Sequence, residues 1–348
     1  GEAMSGLVQD AALPAAPEVA NEVLLELDDL VVDYVEPDRP LRAVDHVNLT
    51  IRAGEIVGLA GESGCGKTTA ANAVLRILHP PGEVTGGRIL FRGVDLARLN
   101  TKQLRRYRWR NVSMVFQSAM SALNPVMRVG DQFVDMMQAH ERVSRRDALA
   151  RAGDLLALVG IDRGRVRSYP HELSGGMRQR VIIAMALALE PELVIMDEPT
   201  TALDVVVQRE ILQELQQLQR ELGFAVLFIT HDLSLLLEFA DRVAIMYAGE
   251  IVELADSPEL FVNPLHPYSV GLLNSFPPLD GPIVQLTGIP GTPPDLAEPP
   301  SGCRFHPRCP HCSVEDAALY ARQTAERPHL LPITPGHDVA CHLVERAT

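Results

Sequence analysis

No stretch of this chain stays apolar long enough to cross a membrane as a helix. The longest uninterrupted run, residues 181–189, falls far short of the ~20 residues a spanning helix needs. The N-terminus carries no signal-peptide pattern either. A soluble protein is expected, with any membrane role reached through partners. A basic excess is also missing: 31 Lys and Arg stand against 45 Asp and Glu, for a formal net charge of −14. Proteins that live on nucleic acid normally present a basic face, so this balance argues against nucleic acid as a partner. Cysteine is scarce over most of the length. Cys65 stands alone, while Cys303, Cys309, Cys312 and Cys341 crowd the C-terminal end. In a cytosolic chain, such clustering reads as metal chemistry more readily than as disulfides.

What is present divides along the chain. A length of 348 residues suits one large or two ordinary domains. Residues 1–22 are rich in Ala and Pro and lack periodicity, which predicts a disordered leader, with Met4 a candidate natural start. The pattern predicts strands over 23–34 and 43–51 in a small β-rich region, then a short apolar strand over 55–60. A helix is predicted over 69–78, stopped by His79-Pro80-Pro81-Gly82. Residues 118–172 read as a helical subdomain, with helical spacing clearest over 145–160. The apolar segment 177–189 predicts a helix buried on every side. Strands follow over 192–196, 224–230 and 243–247. Between the first two of these, a helix carries Ile211, Leu215, Leu218 and Leu222 on one face and ends at Gly223. Alternating buried strands and helices predict an α/β core with a largely parallel sheet. Beyond residue 262 the character changes. Residues 277–310 are dense in proline and cannot build a core alone, so that region needs the main domain or a staple.

Several short segments carry chemistry, and Asp204 and His231 follow them in the chain. Gly61-Glu62-Ser63-Gly64-Cys65-Gly66-Lys67-Thr68 fits G-x-x-x-x-G-K-[ST], and Thr69 follows it. Such a loop wraps phosphates with backbone N–H groups, so side chains would obstruct it. Its lysine reaches the β- and γ-phosphates, its hydroxyl residue ligates Mg²⁺, and the following helix adds its dipole. Asp197 and Glu198 end an apolar strand, where side chains emerge beside bound phosphates. Asp197 is expected to hold Mg²⁺ and Glu198 to polarise the attacking water. Ser174, Gly175 and Gly176 at a helix N-terminus make a second phosphate-grasping surface. Gln117, at another strand end, is a candidate for contact with Mg²⁺ or water and for relaying motion. Tyr34, upstream of the loop, either stacks on a base or packs against the small β region. Cys65 is either filler or a thiol whose pKa is lowered by the helix N-terminus and Lys67.

Together these segments resemble the ATP-binding cassette (ABC) ATPases over residues 24–260. The resemblance implies a P-loop ATPase fold with a small antiparallel β region and an inserted helical subdomain over about 118–172, the whole spanning 23–262. It implies ATP and Mg²⁺ as cofactors. It also implies a switch histidine at His231, communication across a dimer through Asp204, and catalytic roles for Glu198, Lys67 and Gln117. Two such domains would face head to tail, each lending Ser174, Gly175 and Gly176 to the other's ATP.

Residues 116–125, Asn263-Pro264-Leu265-His266-Pro267-Tyr268 and the Pro/Cys-rich tail over 263–348 are similar to the ATPases of oligopeptide and dipeptide importers. That group also includes nickel and oligosaccharide importers. The resemblance implies a homologous second ATPase subunit, two membrane permeases and, indirectly, an extracytoplasmic solute-binding protein. It places the chain peripherally on the cytoplasmic face of the membrane. Four cysteines can hold Zn²⁺ or a [4Fe–4S] cluster, and spacing alone does not choose; the resemblance favours the cluster. A soluble ABC ATPase of repair, chromosome structure or translation fits less well. Such chains carry very long coiled coils or two cassettes, and this one has neither.

Overall fold

Two sheets build the fold, and the difference between them lies in what covers each face. The computed structural model describes residues 22–35, 40–117, 122–201, 203–275 and 288–344. The expected leader, apart from residue 22, lies outside the described residues. So do the first residues of the expected helical subdomain (118–121) and much of the proline-dense stretch (276–287).

The smaller sheet is antiparallel, in the order β2 (Leu41–Arg52), β1 (Val23–Tyr34), β4 (Gly82–Phe91), β5 (Val94–Asp95). Leu25, Leu30, Val32, Val44 and Ile51 point inward and are fully buried, while Glu26, Asp28 and Asp33 alternate toward the surface. This is the pattern of a sheet with one wet face.

The larger sheet has eight strands. Five are parallel neighbours: β9 (Arg242–Tyr247), β3 (Ile56–Ala60), β8 (Ala225–Thr230), β7 (Leu193–Asp197) and β6 (Val112–Val115). Both faces of these strands are buried, which explains their near-continuous apolar reading. Val194, Met196, Val226 and Phe228 face one core with α5 (Gly175–Leu187), α6 (Val205–Leu222) and α7 (Leu233–Phe239). Leu193, Ile195, Ala225, Leu227 and Ile229 face the other core, shared with α1 (Lys67–Val74) and the small sheet.

The helical region holds α3 (Val129–His140) and α4 (Arg145–Leu158), which join the first core through Phe133, Met137, Ala152 and Leu156. Before it comes α2 (Thr101–Tyr107), closed by a capping box between Asn100 and Gln103. Two expectations need correcting. The first helix ends at Val74, well short of residue 78, because Leu75 caps it and Arg76 turns to φ 49°. Leu222 does not share the buried face of α6; it is 52% exposed in the last turn, just before Gly223 caps the helix at φ 76°.

The C-terminal region builds no core of its own. After β10 (Glu250–Asp256), which pairs antiparallel with β9, come α8 (Ser257–Val262) and α9 (Pro267–Leu273). The chain then returns after α10 (Ala317–Ala325). β12 (His337–Val339) adds antiparallel to β10, and β11 (Leu331–Thr334) adds to β12. Rings of Tyr247, Tyr268 and Phe305 lock it further, with centroids 4.6, 5.2 and 5.4 Å apart. Arg304 reaches Asp45 in β2 and, at 3.0 Å, Glu250 in β10. The need for the main domain, read from the proline content, is met by strand addition.

Candidate functional site

The carboxyl ends of β3, β6, β7 and β8 lie on one edge of the parallel sheet, where such folds bind ligands. β3 runs directly into the loop 61–66. Gly61 turns at φ 151° and Gly66 at φ 109°. A Cβ at Gly61 would lie 2.1 Å from the Met246 carbonyl oxygen, and one at Gly66 2.2 Å from that of Ala43. No other residue fits either place. Gly66 is the N-cap of α1, so the helix opens with its N–H groups aimed at the space the loop encloses. Ser63 and Gly64 face solvent along that space. Lys67 is only 6% exposed, and its Nζ donates to the carbonyl oxygens of Gly61 (2.8 Å) and Glu62 (2.9 Å). The side chain is thus braced before any anion arrives.

Across the edge, Thr68 Oγ1 donates to Asp197 Oδ1 at 3.1 Å. Burial pushes the Asp197 carboxyl above its ordinary range, partly offset by that hydrogen bond. A hydroxyl and a nearly buried carboxylate in contact form a pair that a divalent cation can bridge. Glu198 sits next to it at φ 45°, a strained backbone for a non-glycine residue, held by its N–H on the Ile229 carbonyl at 2.9 Å. Three side chains converge on its carboxylate. Gln117 Nε2 donates to Oε2 at 3.1 Å, Thr201 Oγ1 donates to Oε2 at 3.0 Å, and His231 Nδ1 lies 3.2 Å from Oε1. Backbone strain of this kind clusters at functional sites.

Ser174 caps α5 by accepting from Met177 N at 3.2 Å, with Gly175 and Gly176 in the first turn. A Cβ at Gly176 would lie 2.9 Å from Val207 Cγ1, so this turn packs close to α6. Asp204 caps α6 through Val207 N at 3.0 Å, followed by exposed Val205 and Val206. Ser174 and Asp204 form no hydrogen bond or ion pair with the loop residues among the described contacts. Tyr34, at the end of β1, puts its hydroxyl 3.5 Å from Thr69 Oγ1, with its ring under Gly82.

Of the two readings of Cys65, burial favours filler. Burial raises its thiol pKa, and Lys67, whose Nζ lies 3.6 Å away, only partly offsets the rise. The side chain is 4% exposed and is structural filler, because desolvation outweighs the nearby positive charge.

At the other end of the chain, Cys303 and Cys341 are buried, and Cys309 and Cys312 are half-buried. Burial, with Cys341 and Cys309 close by, pushes the Cys303 thiol up to about 12. Cys341 rises to about 11 for the same reasons. Cys303, Cys309 and Cys341 lie near one another and Cys312 near Cys309, and four thiols are a donor set chemically suited to iron–sulfur or zinc. The expected centre is nevertheless not closed. Among the described residues no group of three His, Cys, Asp or Glu side chains stands at a spacing that would hold a metal ion. Cys309 Sγ is instead turned toward Gln323 Nε2 at 4.0 Å.

Sequence reasoning overlooked Thr201 as a partner of Glu198, although its place after Pro199-Thr200 was visible. It also overlooked Glu62, Tyr268 and Arg308, which meet beside the loop; their large separation along the chain left no local signal. No described helix is long and apolar enough to cross a membrane.

Comparison with known proteins adds the following. Residues 44–201 match the family described as ABC transporter, and residues 252–315 match the oligopeptide/dipeptide transporter C-terminal region. The oligopeptide transport ATP-binding protein OppD of Salmonella typhimurium is 46% identical, over 85% of this chain and 88% of its own. The dipeptide transport ATP-binding protein DppD of Bacillus subtilis is 43% identical, over 93% and 96%. Among solved structures, the dimeric bacterial ABC transporter cassette MJ0796 is 28% identical with a TM-score of 0.60. The match covers 67% of this chain and 99% of that one.

Proposed function

The chain belongs to the ATP-binding subunits of oligopeptide and dipeptide ABC transporters, and from that premise we propose how its residues divide the work. As in that family, it is an ATPase that powers peptide import. The observation carrying the assignment of roles is the convergence of Gln117, Thr201 and His231 on the strained Glu198, beside the Thr68–Asp197 contact.

Gly61, Ser63, Gly64, Cys65, Gly66 and Thr69 belong to the loop and first helical turn that surround the phosphates with N–H groups. Lys67 lies against the β- and γ-phosphates. Thr68, Asp197 and Gln117 would hold Mg²⁺, which would supply positive charge to the phosphate oxygens. Glu198 takes a proton from, or orients, the attacking water. His231 senses the γ-phosphate from the neighbouring strand end, and Tyr34 lies beside the adenine.

Ser174, Gly175, Gly176 and Asp204 face a second, homologous subunit. Exposed Val205 and Val206 support an interface at that point. Exposed Phe116, just after β6, and exposed Val126, in the helical region, support docking to two permeases at the cytoplasmic face of the membrane. A solute-binding protein acts on the far side. In the tail, Cys303, Cys309, Cys312 and Cys341 would have to draw together to hold a [4Fe–4S] cluster, with Zn²⁺ the alternative occupant. When bound, such a group staples a segment that lacks its own core.

The test is Glu198→Gln. ATP binding should persist while hydrolysis falls at least ~100-fold, and peptide uptake by membranes carrying the whole transporter should stop. Hydrolysis at the wild-type rate would remove Glu198 from the water-activating role.

A further inference from the structure

Glu62 is an odd residue for its place. The phosphate-loop pattern leaves that position open, and a carboxylate beside a triphosphate adds repulsion unless something cancels it. Here it is cancelled from a distance. Arg308, in the turn His306–Arg308, meets the carboxylate with two parallel hydrogen bonds: Nη1 donates to Oε2 at 2.6 Å and Nη2 to Oε1 at 3.0 Å. This fork geometry is the strong, directional form of the pair. The arginine is itself locked. Its side chain is 6% exposed, Nε donates to the Pro290 carbonyl at 2.8 Å, and the Tyr247 ring lies 5.8 Å away.

The backbone of Glu62 is held as firmly. Its N–H donates to the Tyr268 hydroxyl oxygen at 2.9 Å, and its carbonyl accepts from Lys67 Nζ at 2.9 Å. Beside this knot, Pro293, Pro294 and Leu296 line a cavity of about 260 Å³ with Glu62, Ser63 and Gly64. The phosphate lysine is therefore aimed by a carbonyl whose own residue is fixed by two side chains from the C-terminal region.

We propose that Arg308 and Tyr268 are positioning residues for ATP binding, acting through Glu62 on Lys67, so that the C-terminal region sets nucleotide affinity from outside the motifs. This rests on the assignment of the loop as the phosphate site. Arg308 touches no phosphate. It removes the Glu62 charge from the ligand's field and keeps the 61–62 carbonyls pointing at the lysine.

The experiment is nucleotide titration of the full chain, using a fluorescent ATP analogue, for wild type, Arg308→Ala, Arg308→Lys, Glu62→Gln and the Glu62→Gln/Arg308→Ala double variant. Melting temperatures are followed alongside. Arg308→Ala should raise Kd about 10- to 100-fold, the size of one charged hydrogen bond. Arg308→Lys should recover part of the loss, because the charge returns without the fork. The double variant should bind no worse than Arg308→Ala, since the unpaired carboxylate is gone as well. In steady state the change should fall on KM and leave kcat within about twofold.

An unchanged Kd for Arg308→Ala, or losses in the double variant that simply add, would overturn the proposal. Should Arg308→Ala fail to fold, Tyr268→Phe removes only a hydroxyl. A several-fold rise in Kd at an unchanged melting temperature then supports the proposal, and an unchanged Kd sinks it. Lys67→Ala separates the two levels of inference. If that variant binds ATP as wild type does, the assignment of the loop fails; if it loses binding while Arg308→Ala does not, only the positioning role fails.

Discussion

Cys65 has a lysine on one side and a helix N-terminus behind it, yet its thiol stays protonated because burial outweighs both. Alkylation of the native protein by a maleimide at pH 7–8 should therefore be slow at Cys65. With the four-cysteine site unloaded, peptide mass mapping should find the label first on Cys312, which lies nearer the surface than Cys65. Rapid labelling of Cys65 with loss of ATP binding would contradict this. The residue scale is also where the sequence was most legible. Gly61, Gly66, Lys67, Thr68, Asp197, Glu198 and His231, the residues proposed for the site, can be singled out because the proposed chemistry demands fixed residue types at fixed spacings. Thr201 and Arg308 cannot be. A hydroxyl or guanidinium that serves another side chain is recognisable only once the fold supplies its partner.

At the scale of elements, β12 is joined to β10 by more than its ladder. His337 Nε2 lies 2.7 Å from Glu253 Oε1, with both side chains fully buried. Glu253 also accepts from the N–H groups of Leu265 (2.7 Å) and His266 (3.0 Å). Burial alone would lower the His337 pKa, but the hydrogen bond and charge of Glu253 raise it above 6.5. Burial alone would raise that of Glu253, but these donors hold it below 4.5. The histidine's contribution is full below its ordinary value and is lost as pH rises through the raised one. The carboxylate's contribution is full above its ordinary value and is lost as pH falls through the lowered one.

Attachment of the C-terminal strands should therefore be firmest between about pH 4.5 and 6.5 and weaken on the alkaline side. Amide exchange in residues 331–340 would report it. His337→Ala leaves a buried carboxylate unpaired and should cost about 3–5 kcal/mol locally. Wild-type exchange in that variant would count against the pair. These strands were invisible in advance. β11 and β12 are only four and three residues long, too short to show a period, and they become strands by pairing with an edge that the sequence places far upstream. The buried parallel strands were legible because burial on both faces leaves an unbroken apolar run.

Considered whole, the molecule is a cassette whose main sheet is completed by its own C-terminal region. Ending the chain after Val262 would strip β12 from the edge of β10. It would also remove Tyr268 and Phe305 from Tyr247 and leave Asp45 and Glu250 without Arg304 and Arg327. An open apolar edge of that kind invites association. The truncated protein should therefore aggregate during purification or elute from a sizing column as large species. A well-behaved truncated chain with wild-type ATP affinity would contradict both the structural role and the positioning role of this region. The broad architecture was readable from the alternation of strands and helices, whereas the mutual dependence of the two regions was not.

The Arg308–Glu62 fork also bears on how such genes can be reshuffled. A chimera that joined this cassette to a relative's C-terminal region lacking an arginine at that place would inherit a carboxylate beside its phosphate site and nothing to answer it. The opposite chimera would carry a buried guanidinium with no acid. Loop and tail are therefore one heritable unit, and recombination between them carries a penalty that neither parent shows.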